Sequence, residues 1–137
     1  MKHLVMLALL FGCPCFAGDQ DAVKAWNTLS KIDPITLKPN PEIKKLIGKS
    51  ISIAGYMIVN EFEAGEVTEF LLARTPAGCI HVPPPPANDV IHVTFVKGKS
   101  TKYFVGAILV SGTLKLGSRI DAAYEIDADS VSEIKNK

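Results

Sequence analysis

Cys79 and His81 are the two residues of this sequence best suited to chemistry. They stand two positions apart in the segment "GCIHVPPPPAND", residues 78–89. In an extended chain residues i and i+2 point to the same side, so the thiolate and the imidazole can share one face. Zn²⁺ and Cu⁺ accept both of these ligand types. The spacing therefore indicates a transition-metal contact, with zinc or copper as the candidate cofactor.

Two ligands do not complete a metal site, because structural zinc takes four protein ligands and catalytic zinc three. His92 would supply a third if its strand pairs back against the motif. A carboxylate could come from Glu61, Glu63, Glu66 or Glu69, which flank a predicted turn at residues 64–65. A buried thiol beside a histidine bonded to the backbone fits the same residues, and the sequence leaves both interpretations open.

A thiolate–imidazole pair can also act as a nucleophile. The sequence shows no glycine-rich oxyanion loop and no orienting Asn or Asp at a recognisable spacing from Cys79. A thiol-dependent enzyme or redox factor centred on Cys79 is therefore the alternative, and a non-enzymatic role is the leading hypothesis.

The four prolines that follow the Cys-x-His pair form a stiff segment. Proline fixes φ at about −65° and lacks an N–H donor, so the run adopts a polyproline II rod and cannot lie in a central strand. It can protect a sheet edge, or present a rigid ridge to the groove of a partner. The residues predicted to bind a partner are Pro83, Pro84, Pro85, Pro86 and Asn88.

The elements that position this segment begin with a helix. Apolar residues at Val23, Trp26 and Leu29 have helical spacing within residues 19–31. Prolines 34, 39 and 41 then interrupt the chain, which indicates a connecting arm with one helical turn at residues 42–47, closed by Gly48. Residues 18–47 are accordingly predicted to form an N-terminal helix and extended arm.

Residues 48–137 are strand-like throughout. The first strand carries Gly55, which would let it bend, followed by Tyr56. Two later strands flank a predicted hairpin turn at residues 97–99, and residues 105–116 and 122–134 look like a closing pair. About five strands without a long helix between them favour a small, OB-like antiparallel barrel, with a small sandwich as the alternative.

The N-terminus indicates export. Residues 1–17 combine Lys2, an apolar run and a small-residue ending, which predicts a signal peptide cleaved after Ala17. The alternative is a lipobox that ends at Cys13, and only that lipid would attach the protein to a membrane. Cleavage after Ala17 leaves Cys79 as the one cysteine, which excludes an internal disulfide.

The charge of the chain excludes one class of partner. It has 15 basic and 14 acidic residues, without a basic cluster interleaved with aromatics. Nucleic-acid binding depends on a positively charged surface, so a nucleic-acid partner is not expected.

Residues 55–93 resemble the core of a bacterial envelope family known as DUF3299. The resemblance is carried by Gly55-Tyr56, by "TEFLL" at 68–72, by "CIHVPPPP" at 79–86 and by Asn88, and it extends to residues 110–115 and 122–131. The chain departs from the family pattern at residues 58–61, at residues 74–77 before the cysteine, at Asp89, and at His92, where an aromatic is common.

The resemblance implies an exported protein of the periplasm, since members of the family look like envelope proteins encoded beside ABC-type transport components, in some cases in zinc-linked settings. It also implies structural roles for Gly55 and Tyr56. We therefore expect a non-enzymatic envelope accessory that binds a transport-complex protein, a transition metal, or both.

Overall fold

The computed structural model describes residues 19–59, 65–76 and 83–135, with side chains from residue 21 onward. Within these residues the fold is mainly β, with five strands and two short α-helices. The helices are α1 (Asp19–Leu29) and α2 (Pro41–Leu46), and the strands are β1 (Ser50–Ile58), β2 (Glu69–Ala73), β3 (Val90–Phe95), β4 (Ala107–Leu116) and β5 (Tyr124–Glu133). The predicted signal peptide and Cys13 lie outside the described residues.

Helix α1 packs on the sheet through one face. Ala22, Trp26 and Leu29, spaced by four and three residues, are buried. Val23 was expected on this face but is 58% exposed, because its position lies about 100° around the helix from Ala22. The indole Nε1 of Trp26 donates to the carbonyl oxygen of Ala54 in β1 at 2.6 Å, which ties the helix to the first strand.

The arm between α1 and β1 is held by local polar contacts. The carboxylate of Asp33 accepts from the backbone N–H groups of Ile35 and Thr36, and these bonds lower the pKa of Asp33. Asn40 caps α2 by accepting from the N–H of Ile43 at 2.9 Å. The helical turn predicted at residues 42–47 is thus present, and it begins one residue earlier, at Pro41.

The five strands pair in a closed ring in the order β1-β2-β3-β5-β4, with β4 returning to β1. The expectation of antiparallel pairing throughout is wrong at one pair, since β3 and β5 run parallel. A ring with an odd number of strands cannot alternate direction at every pair, so at least one parallel pair is required.

The prediction of a hairpin between β3 and β4, with its turn at residues 97–99, is also wrong. β3 pairs with β2 and β5, and β4 pairs with β1 and β5, so β3 and β4 are not neighbours. Residues 96–106 instead connect β3 to β4, which lie on the two sides of β5 in the ring. The predicted closing pair is confirmed, because β4 and β5 form a long antiparallel ladder.

Alternate residues of every strand fill the interior of the ring. The innermost are Ile53, Leu72, Ile91, Val93, Ile108, Val110, Leu114, Tyr124 and Ile126, each with about 0% exposure. Tyr124 is fully buried, and its hydroxyl donates to the carbonyl oxygen of Leu29 at 2.6 Å. Burial raises the pKa of the Tyr124 phenol, so the group stays a neutral donor that joins β5 to the end of α1.

Gly55 is required by a close approach between β1 and β2. A Cβ atom at Gly55 would lie 2.6 Å from the carbonyl oxygen of Ala73 and 2.9 Å from the Leu72 side chain. Neighbouring Tyr56 is half-buried and pairs with Ala73 on one side and Ala107 on the other. Among the described residues, no helix has the length and hydropathy needed to cross a membrane.

Candidate functional site

The segment with the Cys-x-His motif and the four prolines, residues 78–89, is described only from residue 83 onward. Cys79 and His81 fall within residues 77–82, outside the described part of the chain, so their predicted metal and thiol roles are not tested. The four prolines, Asn88 and His92 are described. They lie in the connection from β2 to β3 and in β3 itself.

Pro83, Pro84, Pro85 and Pro86, hereafter the proline run, lie on the surface. Pro83, Pro84 and Pro86 are exposed, and Pro85 is half-buried. The run belongs to no strand and leads into a single 3₁₀ turn, Ala87–Asp89, in which the N–H of Asp89 donates to the Pro86 carbonyl oxygen at 2.9 Å. The rigid rod expected from four prolines is thus joined directly to an ordered turn.

The 3₁₀ turn is anchored to three other parts of the molecule. The Asn88 side-chain Nδ2 donates to the carbonyl oxygen of Ser30, at the end of α1, at 2.9 Å. The N–H of Ala123 donates to the Ala87 carbonyl oxygen at 2.8 Å, and the N–H of Arg74 donates to the Asp89 carbonyl oxygen at 3.1 Å. Asn88, predicted to contact a partner, therefore directs its amide to α1, where it holds the proline run in place.

Two side-chain oxygens of this turn are buried, the amide Oδ1 of Asn88 and the carboxylate Oδ1 of Asp89. Asp89 Oδ1 lies 3.7 Å from Arg74 Nη1, an ion contact that is longer than a hydrogen bond. Neither oxygen accepts a hydrogen bond from the residues that the structure describes.

His92 lies on the outer face of the ring beside a carboxylate. It pairs with Leu71 of β2, and its Nε2 lies 3.6 Å from Glu69 Oε2. The His92 side chain is 14% exposed and that of Glu69 is 67% exposed. The structure thus joins His92 to one of the carboxylates named from the sequence. Within the described ranges, no group of three His, Cys, Asp or Glu side chains could hold a metal ion.

The same face contains a pocket of about 430 Å³, hereafter the outer pocket. Four parts of the chain line it: Ile58 and Val59 at the end of β1, residues 66–71 before and within β2, His92 of β3, and Arg119 of the β4–β5 connection. Because Phe70 and Leu72 point into the core, the intervening Leu71 faces outward, where it forms part of the apolar floor.

Arg119 at the rim of the outer pocket is held by Asp121. Its Nε and Nη2 donate to the two carboxylate oxygens of Asp121 at 2.8 and 3.0 Å. This fork raises the pKa of Arg119, with smaller contributions from Glu69 and Glu125, and it lowers the pKa of Asp121. The Nε and Nη2 edge of the guanidinium is therefore already paired with a carboxylate before any ligand arrives.

Sequence reasoning did not identify Arg119 or the apolar floor. Arg119 is a single arginine in the turn between β4 and β5, and no motif surrounds it. The pocket depends on which strands are neighbours, and the sequence carried no local signal for that arrangement.

Comparison with known proteins places the chain in a family. The model of the family described as "Protein of unknown function (DUF3299)" matches residues 19–133. A crystal structure of a DUF3299 family protein from Pseudomonas aeruginosa PAO1 is similar, with 31% sequence identity and a TM-score of 0.57. The match covers 92% of this chain and 87% of that chain. A search of the curated proteins gives no match. The chain belongs to the DUF3299 family.

Proposed function

We propose that the chain is a non-enzymatic accessory protein of the bacterial cell envelope that binds a component of an ABC-type transport system through the proline run. The observation that carries this proposal is the combination of three exposed prolines with a turn anchored at Asn88. An exposed segment held by several contacts to the fold is organised before a partner arrives.

The chemistry of the proline run favours binding. Its four prolines have no N–H donors, and in a polyproline II segment the carbonyl oxygens and ring faces project outward. Aromatic-lined grooves recognise such segments, and little conformational entropy is lost because the segment is already stiff. The expected partner surface is therefore a groove with aromatic side chains and hydrogen-bond donors.

We also propose that the strand ring is an OB-like barrel. The order β1-β2-β3-β5-β4 with a single parallel pair supports this, since OB folds are five-stranded Greek-key barrels that bind ligands on the face of strands 2 and 3. A fold whose common use is binding is consistent with a non-enzymatic role.

Export belongs to the same proposal. Cleavage after Ala17 would release a periplasmic protein, whereas a lipid on Cys13 would keep it at the membrane. The intact mass of the protein recovered from the envelope distinguishes the two, because the N-terminal residue and any acyl chains are read directly.

Co-purification tests the partner. The tagged full-length protein is expressed in its native host, and transport components are identified in the material that co-purifies with it. Replacing Pro83 and Pro84 by Ala should reduce recovery of the partner at least fivefold with an unchanged thermal midpoint. The matched control is Pro34→Ala, an exposed proline outside the run. Equal recovery by the double variant and the control would refute the docking role.

A transition-metal site at the Cys-x-His motif is the second candidate. The contact between His92 and Glu69 favours it, since these two side chains lie on the strands that flank the motif. Protein purified from its native compartment should then contain about one equivalent of zinc or copper. Cys79→Ser and His81→Ala should each lose the metal, and unchanged stoichiometry in both variants would remove this candidate.

The thiol-enzyme alternative makes a different prediction. A catalytic Cys79 would react rapidly with a thiol reagent in the folded protein at neutral pH. Slow modification that accelerates only on unfolding would exclude it.

A further inference from the structure

The outer pocket has the dimensions of a small-molecule site. Its volume of about 430 Å³ lies within the range of about 300 to 1,000 Å³ that is usual for ligand pockets. A single metal ion would leave most of this space to water. Polar groups supply the larger part of its lining, and they surround an apolar floor that includes Ile58 and Leu71.

The charges around the outer pocket are unbalanced. Glu66 and Glu69 line it, and no lysine or arginine of the described residues forms an ion pair with either. The one guanidinium in the lining, Arg119, is already held by both oxygens of Asp121. Glu125 also lies near enough to raise the pKa of Arg119. The pocket therefore has an excess of negative charge.

The apolar part of the lining is continuous with that rim. Ile58 and Leu71 are cross-strand partners, and Leu71 is in turn the partner of His92. This row passes from β1 to β3 and ends at the imidazole beside Glu69. A ligand that fits it carries a positive charge at one end and a hydrocarbon stem at the other.

We propose that the outer pocket binds an amine, with its ammonium group at Glu66 and Glu69 and its aliphatic stem on Ile58 and Leu71. This goes beyond the partner surface at the proline run. An anionic ligand is disfavoured because the carboxylates of Glu66 and Glu69 in the lining would repel it. The shared chemistry is a primary amine, whether it belongs to a free alkylamine or to a lysine side chain.

Calorimetric titration of the full chain with three probes tests the proposal. Pentylamine, pentanoate and 1-pentanol share one stem and differ in charge. Pentylamine should bind with a dissociation constant at least fivefold lower than that of either other probe. Preferential binding of pentanoate, equal binding of all three, or no binding of pentylamine would overturn the proposal.

Variants that remove one charge from the outer pocket show whether negative charge there strengthens pentylamine binding. Glu69→Gln should weaken pentylamine binding by at most about fivefold, the upper end of the usual range for one exposed ion pair. Glu133→Gln, an exposed carboxylate at the end of β5, should leave it unchanged. Arg119→Gln should strengthen it, because the variant leaves Asp121 uncompensated. Weaker binding by Arg119→Gln would contradict a cationic ligand.

A final arm identifies the source of the amine. Nα-acetyl-lysine amide presents the same ammonium on a peptide-like body, and it is titrated beside pentylamine. Tighter binding of the lysine derivative would assign the site to a protein partner, and tighter binding of pentylamine would assign it to a free amine.

Discussion

The proline run lies in the connection from β2 to β3, and the outer pocket lies partly on these two strands, but the two regions are built in opposite ways. The proline run is contiguous in sequence, and its shape follows from the covalent restriction of φ. The outer pocket collects side chains from β1, β2, β3 and the β4–β5 connection. The shape of the proline run should therefore persist when the sheet is disturbed, whereas the shape of the outer pocket should depend on strand packing.

Gly55→Ala should give the largest effect and break the outer pocket first. A Cβ at this position meets the Ala73 carbonyl oxygen at 2.6 Å, so β1 and β2 must separate. Overpacking of this kind costs about 1–3 kcal/mol in the free energy of unfolding. Urea unfolding measures the loss, and pentylamine titration should show weakened binding.

The matched control for this change is Gly106→Ala. A Cβ at Gly106 meets no atom within 4 Å, and its φ is not positive. Its free energy of unfolding should stay within about 0.5 kcal/mol of the wild-type value. If both glycine variants behaved alike, the close approach at Gly55 would not be the cause.

Asn88→Ala should affect the proline run and spare the outer pocket. It removes the hydrogen bond to the Ser30 carbonyl oxygen, which contributes about 1 kcal/mol. Amide hydrogen exchange should accelerate at Asp89 and Ala123, whose N–H groups bond within and onto the 3₁₀ turn. Asp21→Ala, at an exposed position of α1 where the carboxylate pairs with Lys24 of the same helix, is the control, and it should leave both rates unchanged. A shift in pentylamine affinity in Asn88→Ala would show that the two regions are coupled.

The smallest effect concerns pH and the rim of the outer pocket. Arg119 lowers the pKa of Asp121 below its usual value of 3.8, so this pair adds stability above the unfolded-state pKa. The contribution is lost as the pH falls through the lower, folded-state pKa. Asp121→Asn should therefore be slightly less stable than wild type at pH 7 and equal to it near pH 2. Urea unfolding at both pH values measures this, and a gap that persists in acid would assign the effect to packing.

Local pattern accounts for much of the fold. The spacing of Val23, Trp26 and Leu29 predicts α1, and the apolar, β-rich segments predict the strands. The predicted hairpin at residues 97–99 failed because a turn signal reports only local conformation. Two strands that follow each other in the sequence need not be neighbours in the sheet, because packing selects the partners. The local sequence of the two strands does not reveal that choice. Val23 was misassigned for a similar reason, since apolar spacing defined a helix without showing which apolar residue meets the sheet.

The sequence by itself determined the helix, five β segments, the stiffness of the proline run and membership of the DUF3299 family. These depend on short-range torsions, on residue periodicity and on a distinctive motif. Only the tertiary structure decided the ring order, the parallel β3–β5 pair, the anchoring of Asn88 to Ser30 and the gathering of Glu69, His92 and Arg119 around one pocket. Each of these joins residues far apart in the chain, and such contacts form only where burial of the whole core selects one arrangement of strands.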